Sequence, residues 1–321
     1  MANFVKHNVQ TIEEFYHKSN HYFINKLSET KKIELAGRTC YNSYDKINDT
    51  DSDINFCRNM IKSGHEAMIE FGHIIISVDE KLYFKIKEAN FKYLNLTSYN
   101  NNFLVSGNIR AWRNFIKNAD ALEQAKEYLL YKFKFNKDYK IFFEDIDWNY
   151  DVNISNVSFT KFDFELGFNL TKEEKLKHQY FHFIIEADRA VLAELTRHRE
   201  SSFAVQSQRY VNYKNGVEFI FPHWYDKKVK GIVNKLKHVI GKYLWTSSCK
   251  YSESYYKWLI RLGYKPQDAR SVLPNATKTI INIAGNLENF EWIFHLRSAK
   301  SAHPDIRIIS DKMQRIINMD K

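Results

Sequence analysis

Short β-branched runs set among longer amphipathic ones restrict this chain to a mixed α/β fold. Met68 through Val78 (MIEFGHIIISV) and Tyr180 to Glu186 (YFHFIIE) have the β-branched and aromatic content of strands. Apolar residues recur at helical spacing from about Thr11 to Ser63, near 109–116 and 119–133, and over Arg189 to Arg199. The longest such pattern covers Lys227 to Leu262, through Val229, Ile232, Leu236, Val239 and Leu244, and Gly263 with Pro266 ends it. Residues 140–168 alternate in the strand manner, and the last third reads as a strand followed by helix. The expected architecture is a mixed sheet flanked by helices. It forms a single domain over 1–321, interrupted by an insertion at about 80–178 that no Pro/Gly/Ser-rich boundary sets apart.

Ten glycines and four prolines against 24 phenylalanines and 20 tyrosines argue for a well-packed chain without long disordered linkers. A net charge of +10 favours anionic partners, whether nucleic acid, nucleotides or an acidic surface. Cys40, Cys57 and Cys249 are an odd count without CxxC spacing, which suggests neither a disulfide framework nor a zinc knuckle and fits a reducing cytoplasm. The N-terminus lacks the apolar core of a signal peptide, and no run reaches the roughly eighteen apolar residues of a membrane span. A soluble, cytoplasmic protein is expected.

The chemistry concentrates in RHRESSFAVQSQRYVNY. Arg197, His198 and Arg199 are followed after seven residues by Ser207 and then by Gln208, Arg209 and Tyr210. Guanidinium groups grip phosphate oxygens in pairs and keep their charge at any working pH, so the segment suits a phosphorylated ligand. A solvated basic face, or a nucleic-acid-binding surface, is the competing reading of the same residues. Ser207 alone is more often a local hydrogen-bond donor than a nucleophile, and no neighbouring acid completes a triad with His198. His178 and His182 have the i, i+4 spacing of a zinc helix, but no glutamate follows the first and the context is strand-like, so no metal is expected. SGNIRAWRNF (Ser106 to Phe115) echoes AGNLENFEWIF (Ala284 to Phe294). One recurrence without a fixed period reads as chance or a shared way of starting a helix, not as a repeat architecture.

The signature, with its SQRY ending and the following Asn212 and Tyr213, resembles that of the flavin-dependent thymidylate synthases. Three further blocks are similar to the family in its order: AGRTCY at Ala36 to Tyr41, GHEAMIE at Gly64 to Glu70, and DARSVLP at Asp268 to Pro274 with GNLENFEWIFHLR at Gly285 to Arg297. The resemblance implies reductive methylation of dUMP to dTMP without a cysteine nucleophile. Methylenetetrahydrofolate would donate the carbon, and NADPH the hydride through FAD. It implies that Arg297 polarises the pyrimidine, a role for which a fixed charge aimed at developing anion is physically suited. It further implies that Glu194, Arg197, Gln206, Ser207, Gln208, Arg209 and Arg270 hold dUMP. The FAD contacts would come from His65, Ala67, Arg197, His198, Arg199, Val205, Asn286, Glu288 and Trp292. A homotetramer with shared active sites is implied as well, with no nucleic-acid or membrane partner. The chain departs from the family at Phe71, Glu194, Ala204, Val205, Glu288 and His303. These leave open a paralogue acting on another pyrimidine nucleotide, or one that binds without turnover.

Overall fold

The computed structural model describes residues 2–15, 27–48, 50–99, 101–118, 123–147, 162–164, 170–213 and 215–319. The chain runs β1 (Asn3–Val5), β2 (Asn8–Thr11), α1 (Glu29–Tyr41), α2 (Ser52–Lys62), β3 (His73–Val78), α3 (Glu80–Glu88), β4 (Asn95–Tyr99) and β5 (Asn102–Asn108). It continues through α4 (Ile109–Asn118), α5 (Glu123–Lys134), β6 (Phe162–Phe164), α6 (Lys172–His178), β7 (Tyr180–Asp188), α7 (Arg189–Leu195) and β8 (Ser202–Val205). It finishes with β9 (Glu218–Ile220), α8 (Ile232–Arg261), α9 (Pro266–Ala269), β10 (Lys278–Asn286), α10 (Leu287–Arg297) and α11 (Pro304–Met319).

Polar residues at the junctions decide where strands give way to helices. Asp79 and Asp188 accept from the backbone N–H groups of Leu82 and Val191, capping α3 and α7 at the ends of β3 and β7. Thr171 with Glu174 and Asn286 with Asn289 form capping boxes at the starts of α6 and α10. At the far end of α8, Gly263 takes a φ of 93°, which lets the Tyr264 N–H reach Leu259 O at 3.1 Å and closes the helix.

The α/β expectation holds, but the single mixed sheet resolves into two antiparallel four-stranded sheets, ordered β2-β7-β10-β8 and β4-β5-β3-β6. A separate parallel pair, β1 with β9, lies outside them. The second sheet spans the expected insertion but takes β3 from ahead of it. Helices α4 and α5 pack on this sheet around Trp112, Phe115 and Phe133, and the Trp112 indole donates to Ile74 O. Helices α10 and α11 cover the first sheet through Phe290, Ile309 and Met313 against Phe183 and Ile283. Most of the alternating stretch at 140–168, and part of the helical expectation near Thr11, lie outside the described residues.

Two boundaries differ from expectation for a physical reason. Glu66–Phe71 winds into a 3₁₀ turn, so the strand expected from Met68 begins at His73. The fully buried Arg113 guanidinium, bidentate to Asp145, also takes Glu66 at 2.9 Å, while Arg110 takes Glu70 at 2.6 Å. Those ion pairs orient alternate carboxylates toward α4 and hold the segment as a turn. The helix expected to run to Arg199 stops at Leu195, because Ser202 is paired with Ala284 at the sheet edge and the chain must turn to reach it. Among the described residues no helix is long and apolar enough to cross a membrane, and all three cysteines are free.

Candidate active site

Arg297, the last residue of α10, meets the signature segment directly. Its Nε donates to His198 Nε2 at 2.9 Å, Nη1 to Glu194 Oε2 at 2.9 Å, and Nη2 to the Glu194 carbonyl at 3.0 Å. Burial, and then the Arg297 charge, push the His198 imidazole below its usual range. A neutral ring that accepts at Nε2 carries its proton on Nδ1, so the contact fixes the tautomer. Three of the five guanidinium N–H bonds are thereby used, and two remain for a ligand. His198 follows the end of α7 in a turn where its N–H donates to Leu195 O at 3.0 Å, and this turn brings its ring to the same guanidinium as Glu194.

A second group of cations gathers at the start of α7. Arg189 is held by its backbone N–H on Asn275 O, and burial followed by the charge of Arg270 depresses its pKa. Burial raises the Tyr213 phenol to about 12, against the opposing pull of Arg189. Arg189 Nη1 is buried without a hydrogen-bond partner, and the Tyr213 phenol lies within hydrogen-bond reach of the Gln208 side chain. Arg270 donates from Nε to Gln267 O, and among the described residues neither arginine is in an ion pair with a carboxylate. Two like charges with an orphaned donor make an unfavourable arrangement that an anion would relieve.

Arg189 was not singled out from the sequence, although a signal was there. A cation in the first position after an aspartate cap stands against the helix dipole, which favours anions at that end. Its placement is costly unless a ligand compensates.

The remaining signature residues are spread along the same edge. Gln206 is buried and donates its backbone N–H to Ile280 O, and the Ser207 N–H donates to Cys40 O at 2.9 Å. Ser207 Oγ accepts from Arg209 N, and the exposed Arg209 guanidinium lies over the Tyr210 ring. Arg197 and Arg199 are exposed and have no carboxylate partner among the described residues. Val205 pairs with Ile281 in the sheet.

Of the residues expected to meet a flavin, His198 bonds Arg297 directly, while Asn286, Glu288, Trp292 and His65 take other partners. Asn286 caps α10 and donates to Lys177 O, Glu288 takes both its bonds from Lys177 Nζ, and Trp292 stacks on His295 while over half exposed. Asn286 also lines a cleft of about 80 Å³ with His73, Tyr180, Asn108 and Ser202. His65, its ring against Ser63 Oγ, and Ala67 are exposed at the 3₁₀ turn, and no hydrogen bond joins them to the Arg297 group. His178 and His182 face different partners: Thr97 and Ser106 for the first, Asn282 for the second. They share no ligand position.

Residues 168–319 match the model of a family described as thymidylate synthase complementing protein. A flavin-dependent thymidylate synthase of Pyrococcus furiosus is 35% identical over 145 residues, which cover 44% of this chain and 55% of that protein. One from Geobacter sulfurreducens is 32% identical over 150 residues, covering 46% of this chain and 61% of its own length. The chain thus spans little more than half the length of the curated relatives it matches. Among solved structures, a UMP/dUMP methylase PolB from Streptomyces cacaoi, bound with 5-Br dUMP, aligns over 43% of this chain and 64% of its own. Its identity is 20% and the TM-score 0.37.

Proposed function

We propose, from the match of residues 168–319 to the thymidylate synthase complementing protein family, that the protein is a flavin-dependent thymidylate synthase converting dUMP to dTMP. The observation that supports this best is the Arg297 guanidinium, oriented by Glu194 and His198 and keeping two N–H bonds free, with the half-buried Arg189, under the charge of Arg270, suited to a phosphate. Arg189, Arg270, Gln208 and Tyr213 would receive the nucleotide's phosphate, with Ser207, Gln206 and Arg209 bordering it. Arg297 would face the uracil carbonyls, where its fixed charge stabilises negative charge spreading over the ring as C5 becomes nucleophilic. The Glu194 carboxylate and the neutral His198 hold the fork in place, so little reorganisation is needed as that charge develops.

The exposed and unpaired Arg197 and Arg199 fit the flavin's pyrophosphate, and the open face of Trp292 fits an aromatic ring. FAD would supply the hydride, drawn from NADPH, that completes the methyl group, the methylene carbon of methylenetetrahydrofolate replacing the C5 proton of dUMP and tetrahydrofolate being released. His65, Ala67, Val205, Asn286 and Glu288 complete the flavin set in this reading. Their separation from Arg297 within one chain accords with sites completed between family units, of which the resemblance implies four. Soluble substrates of this kind place the reaction in the cytoplasm.

Purified protein is expected to be yellow, with flavin absorbance. It should release tritium from C5-labelled dUMP when methylenetetrahydrofolate and NADPH are present. A colourless protein that binds polynucleotide with a steep salt dependence would overturn the reading in favour of the basic-surface alternative. A yellow protein that ignores dUMP but methylates another pyrimidine nucleotide would correct only the substrate.

Arg189 supplies a test of the phosphate pocket. Arg189→Leu is expected to weaken dUMP binding about 10- to 100-fold, the value of a charge-assisted hydrogen bond. Binding of deoxyuridine, which lacks the phosphate, should be unchanged in isothermal titration, and equal losses for both would remove Arg189 from the site.

A further inference from the structure

The two four-stranded sheets are the same structure built twice. Read from one edge, the orders β4-β5-β3-β6 and β8-β10-β7-β2 correspond strand for strand, and every neighbouring pair is antiparallel. The connections correspond as well. β3 and β7 each end at an aspartate, Asp79 or Asp188, that caps the next helix with a 2.8 Å bond. β5 and β10 each end in Gly-Asn, and Asn108 and Asn286 cap α4 and α10 at 2.8 and 2.9 Å. Each of those helices packs against the helix after it, α5 or α11. The echo between SGNIRAWRNF and AGNLENFEWIF is therefore one part of a longer correspondence.

The first strands are exchanged between the two units. β2 precedes the first set but pairs with β7 of the second, and β6 precedes the second set but pairs with β3 of the first. At the seam, the opening residues of β3 and β7 meet: the His73 and Tyr180 rings stack at 4.5 Å and 8°. Corresponding positions facing each other are what a two-fold relation between the units produces.

The first unit has lost the anion-binding cations. At the positions that Arg189, Arg197, His198 and Arg199 hold relative to the Asp188 cap, the Asp79 cap is followed by Glu80, Glu88, Ala89 and Asn90. It also lacks α8: β4 ends at Tyr99 and β5 begins at Asn102.

Helix α8 is apolar on two sides. Trp245, Cys249 and Tyr256 face the body, yet Ile232, Leu236, Val239, Tyr243, Tyr251 and Trp258 are between 58 and 87% exposed. With Val233, Ile240, Leu244 and Tyr255, which are 48–65% exposed, they offer on the order of 800 Å² of apolar surface, taking about 150–250 Å² for an aromatic side chain and about 60–120 Å² for an aliphatic one. That exceeds the largest patch of a typical monomer, about 300–600 Å², and equals what each partner gives to a standard interface, about 800 Å². Near the middle of the thirty-residue helix stand the small residues Ser247 and Ser248, with bulky residues toward both ends. Such a face is complementary to itself about a central two-fold axis.

We propose that the chain is a strand-exchanged tandem of one unit, and that two chains, not four, associate through the exposed face of α8. The His73–Tyr180 seam joins the two units within one chain, and the α8 face is left open. The inference rests on the fold and is independent of the reaction proposed above.

Native mass spectrometry of the full-length protein at micromolar concentration is expected to give twice the 38.3 kDa chain mass. A tetramer would overturn the substitution of halves for subunits. A monomer, including one that instead adsorbs to phosphatidylcholine–phosphatidylserine vesicles, would overturn the self-association. The double variant Leu236→Glu with Val239→Glu should be monomeric with an unchanged far-UV spectrum, and a dimer persisting in it would remove α8 from the interface. Should that variant fail to fold, Ile232→Lys, at the most exposed of the six positions, is expected to raise the dimer dissociation constant at least tenfold. An unchanged constant would again remove α8.

Discussion

Arg297→Ala is expected to cut turnover of dUMP by about three orders of magnitude, close to 4 kcal/mol of transition-state stabilisation, the upper range for removing one preorganised donor. The expectation follows from how the guanidinium is held. Glu194 and His198 fix it through three bonds, and the ligand-facing N–H bonds gain their value from that rigidity. The fold should survive, since the Glu194 carboxylate is partly exposed and can be hydrated when its partner goes. Nucleotide affinity should fall much less than turnover, because the phosphate is assigned to Arg189 and Arg270. Arg297→Lys keeps the charge but not the fork, so it should recover part of the loss. Single-turnover kinetics alongside equilibrium dUMP binding separate the two effects. A variant with ordinary turnover, or one whose whole defect lies in affinity, would take Arg297 out of the chemical role.

The sequence made some of this arrangement legible and hid the rest for physical reasons. Strands near 73–78 and 180–188 and helices at 109–118, 123–134 and 232–261 showed themselves because periodicity is a local property. The pairing of β2 with β7 is not local: Asn8 lies beside Glu186, and nothing in either segment names the other. The turn at Glu66–Phe71 was hidden in the same way, since Arg110, Arg113 and Asp145 decide it from outside. In the site, Glu194 and His198 are close in sequence, whereas their convergence on Arg297 depends on the turn after Leu195 and on how α7 packs relative to α10. The apolar residues of α8 were plain, but periodicity cannot say which of two apolar faces the body covers.

Stability is expected to fall by several kcal/mol as the pH drops from 7 to 4.5, a window above the one in which carboxylates titrate. His178 and His182 are buried where the units meet the first sheet, and burial lowers their pKa values to about 4 and about 3. The unfolded chain takes up these two protons near pH 6.5 while the folded chain does not, so both contributions are fully present above pH 6.5 and are lost as the pH falls toward the folded values. Each depressed imidazole costs up to about 1.4 kcal/mol per pH unit in that range, so the pair can remove about 5 kcal/mol by pH 4.5. That is a large share of the 5–15 kcal/mol typical of a folded protein. The hydrogen bonds explain why the folded state resists protonation. His182 Nε2 faces the Asn282 side-chain oxygen and so carries the ring proton, while Nδ1 is buried with no acceptor to receive a second one. His178 lies between the Thr97 and Ser106 hydroxyls, each at 2.7 Å, with Lys177 adding an unfavourable charge. Asp145, Glu66 and Asp305 oppose burial through their cationic or histidine partners and titrate below the usual carboxylate range, so their loss comes later in acid. Urea unfolding midpoints at pH 7, 6, 5 and 4.5 should therefore decline steadily from about pH 6.5. His178→Gln, which leaves His182 as the only one of the pair, should halve the slope even if it lowers stability at pH 7. A midpoint that stays level to pH 5 would show that neither imidazole is held neutral by the fold.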